Sequence, residues 1–161
     1  MKTISKKNWL NHPLSVYGTV EEVPVSFLDI IKNPFSKDFT NESNESNVIL
    51  HQNKVFDDIE LNGMDEPFIV RIGYSDKTIR LESGNHRIKV AIERGYTHMP
   101  ISCFVDIKSI LYEGNGIHSF DASKIIDFDL LVKSPYSYPI KISDFLKIPL
   151  SEILDEMISA K

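Results

Sequence analysis

The stretch "IRLESGNHRIKVAIERGYTHMPISCFV", Ile79 to Val105, decides how this chain folds. Ile79 to Glu82 continues a strand that begins at Thr78, and Gly84 breaks it. From Asn85 to Arg94 the spacing predicts a helix, with Ile88, Ala91 and Ile92 striping one side and Gly95 at the stop position. After Tyr96-Thr97-His98, the run Met99 to Val105 predicts another strand.

Just upstream, Pro67 to Gly73 alternates, with Phe68, Val70 and Ile72 on one face and Ile69 and Arg71 on the other. Tyr74-Ser75-Asp76-Lys77 then reads as a hairpin turn into the Thr78 strand. Before it, a helix is predicted from Val48 to Leu61, with Val48, Val55, Phe56 and Ile59 on one side and Gly63 ending it. The Ser, Asn and Glu cluster from Ser36 to Asn47 buries little and predicts a mobile loop. A short strand, Val23 to Ser26, and a helical turn, Phe27 to Lys32, precede Asn33-Pro34.

Residues 1–20 read as an extended arm in which Trp9 is a docking anchor, either for the core or for a partner. Beyond Asp106, Gly114 and Gly116 flank a loop, and Ile125 to Val132 reads as either strand or helix. Pro135 and Pro139 punctuate a linker. Ser143 to Ala160 reads as two helical pieces split near Pro149, with Ser143 and Ser151 as N-caps and Ile153, Leu154, Met157 and Ile158 on the apolar side. The expected class is α+β, a small mixed sheet with helices: an arm at 1–20, a domain at 21–110 and a partly helical C-terminal extension at 111–161.

Composition narrows the function. At 161 residues the chain fits one domain, and 42% apolar with 25% charged residues is ordinary for a globular protein. No apolar run is long enough to cross a bilayer, and Lys2, Lys6 and Lys7 are followed by no apolar stretch of the secretory kind. The single cysteine, Cys103, forbids an internal disulfide framework and points to a reducing cytoplasm. Lys plus Arg number 18 against 23 Asp plus Glu, a net charge of −5, which argues against general coating of nucleic acid. The best basic cluster, Arg87, Lys89 and Arg94, is split around its helix.

The chemistry concentrates where the strand meets the helix. A helix starting at Asn85 leaves the amides of Asn85, His86 and Arg87 without intrahelical acceptors, at the positive end of the dipole, which makes an anion site. Gly84 would let a phosphate oxygen approach the backbone. Arg87 offers a planar fork for two such oxygens, and His86 can donate to phosphate or move a proton. The same residues also read as a plain solvated turn in which Glu82 salt-bridges Arg87.

The span Val23 to Asp106 resembles the ParB/sulfiredoxin superfamily domain. "VPVSFLDIIKNPF" is similar to its opening strand, short helix and Asn-Pro turn, and "NGMDEPFIVRI" to its glycine-ended helix and following strand. "SGNHRIKVAIERGYTHMP" is similar to its Gly-x-x-Arg signature, inner-face alanine, glycine stop and strand-opening proline. The resemblance implies a di- or triphosphate nucleotide (ATP, ADP or CTP) held with Mg²⁺ at Gly84, Asn85, His86 and Arg87, with Glu66 lining the pocket. It also implies catalytic roles for Glu82, His86 and Asp38.

Two departures narrow the branch. Asn85 stands where sulfiredoxin-like members carry a reactive cysteine, and Asn-His-Arg replaces the Glu-Arg-Arg of partition proteins. The implied function is nucleotide binding with phosphoryl transfer or NTP hydrolysis, toward a small-molecule or protein acceptor. The alternatives are a nuclease or DNA-interacting partition-type protein, and a non-catalytic adaptor of phage or mobile-element origin, acting as a homodimer or on a protein partner. No protein-built metal site is expected, since His12, His51, His86, His98 and His118 make no i,i+4 pair and have no cysteine at ligand spacing. Asp57-Asp58-Ile59-Glu60 reads as a solvated acidic face and Cys103 as a buried, inert thiol.

Overall fold

The structure is a computed structural model that describes residues 20–32, 42–64, 66–83, 85–107, 120–131, 138–150 and 152–153, with the backbone alone at 42–49, 83, 85, 86 and 138. In chain order the elements are β1 (Val20–Pro24), α1 (Val25–Ile31), α2 (Glu42–Asn62), β2 (Phe68–Gly73), β3 (Thr78–Ser83), α3 (Asn85–Glu93), β4 (His98–Asp106), β5 (Phe120–Asp121) and β6 (Tyr138–Ile140). A 3₁₀ turn, Ile142–Phe145, follows β6. The class is α+β, as the sequence predicts.

The strands form a mixed sheet in the order β1-β4-β2-β3-β5. β2 and β3 are the antiparallel hairpin, joined by Tyr74–Lys77, with Lys77 in the left-handed region at φ 57°. β2 runs parallel to β4, Phe68 opposite Ile101 and Gly73 opposite Asp106. The other edge of β4 is shared by two strands in tandem. β1 pairs with its first half, Val20 opposite Ser102 and Pro24 opposite His98, and β6 with its second, Ile140 opposite Cys103.

Alternation places Phe68, Val70, Ile72, Ile79, Leu81, Met99, Ile101, Cys103 and Val105 in the buried core with Phe27 and Leu28 of α1, Phe56 of α2 and Ile88 of α3. Phe27, Phe56 and Phe68 are fully buried, each contributing about 1.5–3 kcal/mol by removal of apolar surface from water. Gly63 (φ 93°) and Gly95 (φ 83°) stop α2 and α3 in the left-handed conformation, and the Gly63 amide closes back on the Ile59 carbonyl at 2.8 Å.

Several boundaries differ from expectation. α2 begins at Glu42, so half of the predicted loop is helix. No Gly or Pro interrupts 42–62, so the helix extends backward from its packed half. β1 starts at Val20 and stops at Pro24, and Val25 and Ser26 belong to α1, whose first amide donates to the Thr97 carbonyl at 2.8 Å. On α3, Val90 is buried and Ile92 is 45% exposed, because the helix packs on both α1 and α2 and its buried face is turned accordingly.

The region after residue 119 contributes β5 and β6 to the same sheet. Residues 125–131 are turns, neither strand nor helix, with an isolated bridge from Ile126 to Leu146. Ser143 lies inside the 3₁₀ turn rather than capping it, and Lys141 is the N-cap. The predictions for Trp9, Ser36 to Asn41, Gly114, Gly116, Pro135, Ser151, Leu154, Met157 and Ile158 fall outside the described residues. Among the described residues no helix is long and apolar enough to cross a membrane.

Candidate functional site: the β3–α3 junction

β3 ends at Ser83 and α3 starts at Asn85. The helix therefore opens within two residues of the sheet, with the amides of Asn85, His86 and Arg87 in its first turn, as an anion site at this junction requires. Gly84 and Asp38 lie outside the described residues, and Asn85 and His86 are placed by their backbone only.

Arg87 is half-buried and its fork is engaged with main chain. Nη1 donates to the Glu66 carbonyl at 2.9 Å and Nη2 to the Pro67 carbonyl at 3.2 Å. The guanidinium carbon lies 4.4 Å from the centre of the Phe68 ring, a cation–π distance. Three consecutive residues ahead of and opening β2 are thus lashed to the first turn of α3. The structure does bring Glu66 and Arg87 together, through the Glu66 carbonyl, while the Glu66 residue itself is exposed.

Glu82 is exposed, and its carboxylate closes on Arg80 of its own strand at 2.6 Å. Arg80 is nearly buried, its side chain 8% exposed, so this pair spans the boundary between solvent and sheet. Among the described residues no three His, Cys, Asp or Glu side chains converge on a point where a cation could sit.

Two features escaped sequence reasoning. Arg94, just past α3, bonds Asn53 through its carbonyl at 2.9 Å and its side-chain oxygen at 3.0 Å, and pairs with Asp57 at 2.9 Å and Glu60 at 3.3 Å. The Tyr96 hydroxyl donates to Glu60 at 2.8 Å, and burial together with this carboxylate pushes the phenol well above its ordinary range. The acidic run is therefore not simply a solvated face: Asp57 and Glu60, one turn apart, grip the neighbouring helix. That signal becomes readable only once α2 and α3 are known to be adjacent.

The second is Glu21, at a core-facing register opposite Ile101. Its carboxylate accepts the Ile142 amide, and Ser143 adds further hydrogen bonds, capping the 3₁₀ turn. Burial outweighs these bonds and raises the Glu21 carboxyl above its usual range. Cys103 is fully buried and burial pushes its thiol far upward, in keeping with the inert role read from sequence. Comparison with family models, curated proteins and solved structures returns no match.

Proposed function

We propose that this chain is a nucleotide-binding protein of the ParB/sulfiredoxin-like kind, acting in the cytoplasm, that holds a di- or triphosphate at the start of α3 and uses it in phosphoryl transfer or NTP hydrolysis. The supporting observation is the junction itself. A strand delivers the chain directly into a helix N-terminus, and the Glu66-Pro67 segment is bound against that same first turn. First-turn amides and the helix dipole suit phosphate oxygens. His86 and Glu82, with Asp38, remain the residues proposed to handle protons or orient an acceptor.

The DNA-interacting alternative is the less supported reading. Arg94 is bonded to two carboxylates and Arg87 to two carbonyls, in a chain of net charge −5.

The test is a thermal-shift panel of ATP, ADP, CTP and GTP with and without Mg²⁺. A ligand at a hundredfold excess over Kd adds ~2.7 kcal/mol, which at this size raises Tm by roughly 5–10 °C. A flat response to all four nucleotides under both conditions would remove the reading.

A further inference from the structure

Resting on that reading, we infer that Arg87 is a positioning residue of the site rather than a phosphate ligand: its fork holds the Glu66-Pro67 backbone against the first turn of α3. The sequence alone favours direct contact, since a guanidinium next to an anion site is the ordinary way to add charge. The geometry points elsewhere. Both terminal nitrogens already donate to carbonyls on adjacent residues, at 2.9 and 3.2 Å, and the guanidinium carbon lies 4.4 Å from the Phe68 ring centre. Two hydrogen bonds and a ring contact hold the group against the chain that opens β2. Turning the fork toward a phosphate would leave both carbonyls to be satisfied anew and would uncover a fully buried phenylalanine.

The lash has a consequence for binding. Glu66 and Pro67 carry the chain from the end of α2 into β2, and Glu66 is exposed beside α3. With Arg87 in place this segment forms a fixed wall next to the first-turn amides. Without it the wall is held by β2 alone, which begins only at Phe68. Phosphate is then ligated by main-chain amides, and Arg87 sets how well the site is prepared to receive the ligand.

The experiment compares wild type, Arg87→Ala and Arg87→Lys by amide hydrogen exchange without ligand, and by calorimetric titration with the mono-, di- and triphosphate of one nucleoside. Both variants are expected to exchange the Glu66 and Phe68 amides faster while α2 is unchanged. Both should lose affinity by about tenfold, as when a group that orients a ligand-binding partner is removed, and by the same factor for the three ligands. Lysine does not rescue, because one ammonium cannot fork two carbonyls. A loss that grows with each added phosphate, or recovery in Arg87→Lys, overturns the inference in favour of direct ligation. Unchanged affinity in a folded Arg87→Ala protein overturns it as well. Wild-type protein that binds none of the three removes the site itself, and the exchange data then show separately whether the lash exists.

Discussion

The Arg94 guanidinium, just past the end of α3, meets the Asp57 carboxylate of α2 at 2.9 Å and, with the other arm of its fork, Glu60 at 3.3 Å. One side chain thus ties α2 to the end of α3. Asp57 is 72% exposed, so solvent screens much of that pair, while the Asn53 bonds are better protected. Arg94→Ala is expected to cost about 1–2 kcal/mol, a fall in Tm of roughly 2–8 °C. Arg94→Lys should recover only part, measured by urea denaturation. A variant as stable as wild type would show the network to be ornamental.

Glu21 gives a pH signature with a defined sign. Its folded-state pKa is raised by burial, so its contribution to stability is fully present below the unfolded value and is lost as pH rises through the folded one. Glu21→Gln keeps an oxygen for the Ile142 amide and carries no charge. The stability of the variant relative to wild type should therefore increase from pH 4 to pH 7 in parallel urea titrations. A difference that stays constant across that range would mean the carboxyl is not under strain from burial.

Cys103 is expected to be silent toward a thiol reagent such as 5,5′-dithiobis(2-nitrobenzoate) at pH 8 in the native protein and to react fully in urea. It lies on β4 in the core, and burial holds it in the neutral form. Rapid native labelling would indicate that β4 opens easily at this edge.

Gly73 closes β2 where the hairpin turns. A Cβ there would run into the Asp76 carboxylate, which accepts the Thr78 hydroxyl at 2.7 Å. Gly73→Ala should cost about 1 kcal/mol through loss of that bond. The cost should shrink when Thr78 is already Val, because the bond is then absent from both proteins. Equal costs in the two backgrounds would place the strain elsewhere in the turn.

Duplex DNA should bind no more tightly than about 10⁻⁴ M at physiological salt, since Arg87 and Arg94 are already engaged within the fold. Fluorescence anisotropy with a short duplex measures this. Micromolar binding that weakens steeply with added salt would restore the partition or nuclease reading.

The hairpin, α3 and β4 were legible in the residues because one physical pattern governs each. Phe68, Val70 and Ile72 alternate onto the core face, and Gly95 ends α3 where a left-handed residue is needed. Composition misled at α2: Ser, Asn and Glu read as loop, yet helix propagates through them from the buried Phe56 and Ile59 end. β5 and β6 span two and three residues, too short for any periodicity, and exist only because β3 and β4 offer free ladders. At the site, a charged residue near a helix start announced itself. What it holds did not, because the carbonyls of Glu66 and Pro67 belong to main chain and carry no side-chain code.

β4 recruits one edge from both directions of the chain, β1 from well before it and β6 from well after. A polypeptide made vectorially, at about 5–20 residues per second, holds β1 without its ladder for several seconds until β4 is made. It then carries β4 with half an edge bare until Tyr138 to Ile140 follow. Such distant pairings close slowly, on millisecond-to-second scales rather than microseconds. The nascent chain therefore presents a half-tiled apolar strand during synthesis. That interval is when it most resembles a client for a chaperone, and when a second nascent copy could supply the missing strand.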